Sequence, residues 1–193
     1  MRNDKKCDII LIGDRTVGKT ALISRYAVNT FQENYRVTVG IDYYQKEEEI
    51  NDEKIKVNIW DTAGQERYQG LPKSFYKRGN GIILTYDVTN RESFNHLKKW
   101  IDSIMTFKNE NARIIIVGNK IDLVRQVNKE DAVELAKKYK YKYFETSAKT
   151  SKGVNECFLY LINKINKQDE EDAEISIFLE DSDTSKSIAC KCL

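Results

Sequence analysis

The sequence predicts an α/β fold, a six-stranded and mostly parallel sheet with helices on both faces. Three observations carry that expectation. Short apolar runs alternate with amphipathic stripes along the chain, the order that builds strand–helix–strand units. Two runs, Ile82–Tyr86 and Ile114–Val117, are predominantly apolar, as strands covered on both faces are. Gly13–Thr20 reads Gly-Asp-Arg-Thr-Val-Gly-Lys-Thr, a phosphate-binding loop pattern, and it lies between a strand signal and a helix signal.

The elements follow in order. Ile9–Ile12 is a buried strand feeding the loop, and Ala21–Val28 is the helix that leaves it. A polar stretch, Asn29–Val37, precedes two strands near 41–50 and 54–60, joined by a turn at Asn51-Asp52. Ile55, Val57 and Ile59 alternate with Lys56 and Asn58, so the second strand buries one face. Lys46-Glu47-Glu48-Glu49 marks the first as an edge strand protected by charge. After the strand at Ile82–Tyr86, Thr89-x-x-Glu92 resembles a capping box opening one helix with Phe94, Leu97, Ile101 and Ile104 on a stripe. Asn128 is placed to cap a helix over 129–139, and Tyr141–Phe144 is a last short strand. Val154, Cys157, Phe158, Leu161, Ile162 and Ile165 give the final helix its core face.

The chain has 193 residues, of which 40% are apolar, enough for one domain with a real core. Its net charge of +2 is unevenly spread: residues 168–193 hold eight acids against two lysines, leaving residues 1–167 at +8. The lysines are dispersed, so no nucleic-acid partner is expected. Periodicity fails from Gln168 onward, and 168–193 reads as an acidic linker. No transmembrane run is present, and Asp8 interrupts the only early apolar stretch, so a cytosolic chain is expected. Cys7 and Cys157 fall in apolar patterns and read as buried thiols. The lone His96 reads as a surface histidine, and no Cys/His cluster suggests zinc.

The chemistry-bearing segments all follow strands. Backbone N–H groups at the start of the first helix suit phosphate, Lys19 adds positive charge, and the Thr20 hydroxyl can ligate Mg²⁺. Asp14, Arg15, Thr16, Val17, Gly18 and Ala21 complete that loop. Asp61-Thr62-Ala63-Gly64-Gln65 offers a carboxylate for Mg²⁺, a Gly64 N–H for a terminal phosphate and Gln65 to orient water. Asn119-Lys120-Ile121-Asp122 offers a carboxylate to guanine N1–H and N2–H₂, which adenine lacks. Lys120 can lie over the ring and Asn119 can fix the loop. In Glu145-Thr146-Ser147-Ala148-Lys149 the Ala148 N–H can meet guanine O6, while Ser-Ala-Lys also reads as a helix-capping turn.

With these segments in order over residues 6–166, the chain resembles the Ras superfamily of small GTPases. Val39-Gly40-Ile41-Asp42-Tyr43, Lys56–Trp60, Trp60–Tyr68 and Tyr86-Asp87-Val88-Thr89 resemble its Rab branch. The resemblance implies a single P-loop GTPase domain over 1–167, hydrolysing GTP to GDP with Mg²⁺ at Thr20, Thr38 and Asp61. It implies that Phe31 stacks on guanine, Tyr35 covers the phosphates, and Tyr43, Trp60 and Phe75 read the nucleotide state for effectors. Plain packing is the alternative for those three aromatics. It further implies a monomer that meets exchange factors, GTPase-activating proteins and a GDP-dissociation inhibitor or prenyl-binding chaperone. Cys190-Lys191-Cys192-Leu193 resembles a prenylation signal, giving a lipid anchor on the cytoplasmic face of intracellular membranes beside a cytosolic pool. The acidic tail offers no polybasic patch, so two lipids, or one with a receptor, are expected.

Two departures stand out. Arg15 occupies a position where the family usually has a small residue; it can obstruct an activator's arginine, act in cis as a charge stabiliser, or point to solvent. Lys77-Arg78 stand where Rab proteins tend to have Arg-Gly. The rival readings are a GTP-binding module with very slow hydrolysis, a Ras-like signalling GTPase, and an ATP-using P-loop enzyme, which Asp122 and Ala148 oppose.

Overall fold

Around a central strand, β1 (Lys5–Ile12), the chain builds one sheet of six strands. The computed structural model describes residues 5–33, 41–62 and 73–167. After β1 come α1 (Lys19–Val28), β2 (Ile41–Ile50), β3 (Glu53–Thr62), α2 (Lys73–Arg78) and β4 (Gly81–Asp87). The second half holds α3 (Arg91–Asn95), α4 (Leu97–Phe107), β5 (Arg113–Asn119), α5 (Lys129–Lys138) and β6 (Lys142–Thr146). A last helix, α6, runs over 154–167. The strand order is β2-β3-β1-β4-β5-β6, and only β2–β3 is antiparallel. The charged strand is therefore an edge, as its Lys-Glu run predicts.

The two faces of β1 divide the core. Ile9 and Leu11 pack with Leu22, Ile23 and Tyr26 of α1 and Phe158, Leu161 and Ile162 of α6. Ile10 and Ile12 pack with Leu97, Ile101 and Ile104 of α4 and Ala132 and Ala136 of α5. This is the period-2 alternation of a strand buried on both sides. Each buried Leu or Ile contributes at most about 1.5–3 kcal/mol. Tyr26 stacks on Phe158 with ring centroids 4.0 Å apart, tying α1 to α6 across the first core.

Cys7 and Cys157 are buried thiols outside any disulfide, as expected. Burial pushes the Cys157 thiol up to about 12, and alkylation requires the thiolate. In the folded protein at pH 8, neither residue should react with iodoacetamide, and both should react in urea. Peptide mass spectrometry reads this out; rapid native labelling of Cys157 would contradict the packing.

Several local expectations need correction. The helix after the loop begins at Lys19, not Ala21. The expected single helix after β4 is two, broken at His96. Its cap is Asn90, whose side chain accepts from the N–H groups of Glu92 and Ser93, not Thr89. The Thr89 N–H and hydroxyl instead donate to Asp87 Oδ1 at 2.8 and 2.7 Å. Asn128 holds the cap position of α5, but its side chain makes no capping hydrogen bond.

Candidate functional site

Parallel strands deliver their following loops to one edge of the sheet, where α/β folds bind ligands. The loop after β1 curls tightly there. Gly13 has φ +144°, and a Cβ on it would fall 2.1 Å from the Thr85 carbonyl oxygen. Gly18 has φ +96° and caps α1 in the left-handed region, with no side-chain cap at that helix start. Lys19 lies buried, its ammonium donating to the carbonyls of Gly13 at 2.6 Å and Asp14 at 2.7 Å. The cation is thereby held over the concave side of its own loop. Thr16 is exposed, Arg15 is half-buried, and Val17 is buried.

Thr20 Oγ1 donates to Asp61 Oδ2 at 2.5 Å. Asp61 is fully buried near the C-terminal end of β3. A hydroxyl and a carboxylate meeting beside a phosphate loop are hard oxygen donors of the kind Mg²⁺ prefers, with substrate and water completing its shell. The donor set therefore fits Mg²⁺. Among the described residues, no cluster of three or more His, Cys, Asp or Glu is placed to hold a metal.

The loops after β5 and β6 are bound to the first loop by one side chain. Asn119, 1% exposed, donates through Nδ2 to the Val17 carbonyl at 2.9 Å. Its Oδ1 accepts from the Ala148 N–H at 3.3 Å and the Thr146 hydroxyl at 3.2 Å. Asp122 Oδ1 accepts from the Ser147 hydroxyl at 2.6 Å, which fixes the orientation of an exposed carboxylate. Arg25 Nε of α1 donates to the Ala148 carbonyl at 2.8 Å, and Lys149 pairs with Glu33 at 2.8 Å. That pairing lowers the Glu33 carboxyl below its ordinary range. Behind this loop, the Tyr143 hydroxyl donates to Glu145, which also pairs with Arg125 at 2.6 Å. The Tyr86 hydroxyl meets Tyr143 at 2.9 Å, and burial pushes Tyr86 up to about 12, so the chain of phenols stays neutral.

Asp87 is a site residue that motif reading missed. Its Oδ2 pairs with Lys120 Nζ at 2.6 Å. Lys120 sits at φ +68° just after β5, so its backbone turn and its ion pair together aim the side chain. Asp87 ends β4, and the rule that functional loops follow strands would have found it.

Phe31 is half-buried against the first core. Trp60 lies between Tyr43 and Phe75, with ring centroids 4.7 Å and 6.2 Å away, and the Arg78 guanidinium lies 4.0 Å over Trp60. Tyr43 is 48% exposed, so the cluster presents an aromatic face. Tyr35, Thr38, Gly64, Gln65, Cys190 and Cys192 lie outside the described residues. Among the described residues, no helix is long and apolar enough to cross a membrane.

Residues 8–167 match the Ras family. The chain is 41% identical over 155 residues to Ras-related protein Rab-15 of Rattus norvegicus, covering 79% of this chain and 73% of the relative. It is 41% identical over 159 residues to Ras-related protein Rab-13 of Canis lupus familiaris, covering 81% and 78%. It is 43% identical over 155 residues to Ras-related protein Rab-30 of Homo sapiens, covering 79% and 76%. With the loop geometry above, these similarities establish the family: the chain belongs to the Ras family and is a Rab-type small GTPase, a GTP-hydrolysing switch of membrane trafficking.

Proposed function

We propose that residues 1–167 form the switch domain and 168–193 its acidic tether, with each site residue in the role the resemblance implies. Asp14–Ala21 hold the phosphates, and Lys19 moves its ammonium from loop carbonyls toward them. Asn119, Lys120, Asp122, Ser147, Ala148 and Lys149 hold guanine, with Phe31 against the ring. Thr20 and Asp61, joined by Thr38, would hold Mg²⁺, which when bound offsets charge on the β- and γ-phosphates. Gln65 orients the attacking water, Tyr35 covers the phosphates, and Gly64 donates its N–H to the terminal phosphate. These three residues, with Thr38, order around GTP and relax after hydrolysis. Tyr43, Trp60 and Phe75 present the state to effectors, and exchange factors and activating proteins act on the same segments. Prenyl groups on Cys190 and Cys192 would tether the domain to the cytoplasmic face of a membrane, with an inhibitor or chaperone shielding them in the cytosolic pool.

One observation carries this reading: the Asn119 amide joins the carbonyl of Val17 to the N–H of Ala148. A single side chain thus sets the spacing between the phosphate loop and the loop offered to guanine. Phosphate release by the purified chain tests it. Slow GTP turnover, suppressed by EDTA and unaffected by a hundredfold excess of ATP, is the expected result. Equal competition by ATP would overturn the guanine assignment, and GTP binding without any phosphate release would favour a binding module.

A further inference from the structure

The phosphate loop has a second attachment, on the side away from Asn119. Asp14 sits in the loop, and both of its carboxylate oxygens are engaged, one by Trp100 of α4 and one by His96, the residue that caps α4. Trp100 Nε1 donates to Oδ1 at 2.7 Å. His96 Nδ1 lies 2.6 Å from Oδ2. An ionised carboxylate only accepts, so His96 presents the Nδ1–H to it. Trp100 is four residues beyond His96, which places both side chains on one face of the helix. His96 is also the residue at which α3 ends and α4 begins. The break that interrupts the expected single helix is therefore the point from which the loop is gripped. Among the described residues, Glu92 of α3 also faces His96, with Oε1 4.0 Å from Nε2.

Asp14 is used twice. While α4 holds its side chain, its backbone carbonyl accepts from the Lys19 ammonium at 2.7 Å. Fixing the carboxylate fixes the peptide unit that places Lys19. A group that presets a phosphate-binding cation contributes most by restraining escape, which appears in the dissociation rate.

We propose that His96 and Trp100 are positioning residues for nucleotide retention, acting through Asp14 on the phosphate loop and Lys19. This rests on residues 14–21 holding the nucleotide's phosphates. The contacts span 82 and 86 positions of sequence, so they bind α4 to the site and to nothing local. The sole histidine of the chain gives the grip a donor that an asparagine amide can replace in kind.

Release of a fluorescent GDP analogue from the full-length, Mg²⁺-loaded protein tests the proposal. His96→Ala and Trp100→Phe should each speed release about tenfold, the scale of one lost hydrogen bond to a charged group. His96→Asn should restore release to within about twofold of wild type. Ile104→Val, a core change on the same helix, supplies a variant destabilised by ordinary packing loss. It should lower the thermal midpoint and leave release unchanged. Wild-type release from both His96→Ala and Trp100→Phe overturns the proposal. So does equal acceleration by Ile104→Val, or failure of His96→Asn to restore release. If the wild-type protein retains no GDP analogue at all, the assignment of the loop itself fails, which is a different result.

Discussion

Gly13→Ala is expected to fold with its stability lowered by about 2–6 kcal/mol. Two costs add at this position. A φ of +144° is open to glycine and strained for alanine, which costs about 1–3 kcal/mol. The new methyl would also fall 2.1 Å from the Thr85 carbonyl oxygen, a backbone atom of β4 that cannot swing aside. Overpacking of that kind adds about 1–3 kcal/mol or more. Together they make a large fraction of a typical domain's stability, about 5–15 kcal/mol. Gly79→Ala is the matched comparison. Its Cβ would sit 2.7 Å from Cδ1 and 2.8 Å from Cγ1 of the buried Ile10, side-chain atoms and not backbone, with no left-handed backbone to strain. Urea titration of both variants should show a far lower midpoint for Gly13→Ala. Equal midpoints would mean that the loop moves away from β4 at little cost.

Asp122→Ala should leave the fold nearly intact and remove guanine selectivity. Asp122 is exposed, and its main internal partner is the Ser147 hydroxyl, so the folding cost should stay near about 1 kcal/mol. Against guanine, two charge-assisted hydrogen bonds would be lost at about 1.5–3 kcal/mol each. That is a fall in GTP affinity of about 10²–10⁴-fold. Inosine triphosphate sharpens the test, because it keeps N1–H and lacks the 2-amino group. Wild type should prefer GTP over ITP by at least about tenfold, and Asp122→Ala should bind the two alike. An undiminished preference in the variant would place the guanine contact elsewhere. The Glu33–Lys149 ion pair beside this loop is fully exposed and has a lowered Glu33 carboxyl. Its contribution is present at neutral pH and fades as pH falls through the Glu33 range.

Most of the scaffold was legible because its signals are local and periodic. Ile9–Ile12 announces a buried strand, and Ile55, Val57 and Ile59 announce a half-buried one. The loops Gly13–Thr20 and Asn119–Asp122 were legible because phosphate and guanine chemistry demand fixed residue types at fixed spacing. What escaped was the set of contacts between segments distant in sequence. Asp87 holds Lys120 across two strands, and Arg25 of α1 reaches Ala148, with no period linking the partners. The break at His96 escaped for a related reason. Phe94, Leu97, Ile101 and Ile104 keep helical spacing through it, so the stripe gives no sign of the break. Thr89 looked like a cap, but the Asp87 carboxylate claims its hydroxyl, leaving Asn90 to serve the helix.

The central position of β1 has a consequence for hydrogen exchange. Over Ile9–Leu11, β1 is paired on both sides, with β3 and with β4, whereas β2 and β6 each have one neighbour. The amides of that stretch can reach solvent only when the sheet comes apart, while the outer strands can fray alone. A ligand held at the end of β1 therefore feeds its binding energy into the last part of the molecule to open. Exchange in β1 should slow with ligand concentration as global unfolding does, while exchange at the outer strands responds weakly. Occupancy of the loop and lifetime of the whole domain then become one thermodynamic quantity, so an emptied switch is also a more perishable protein.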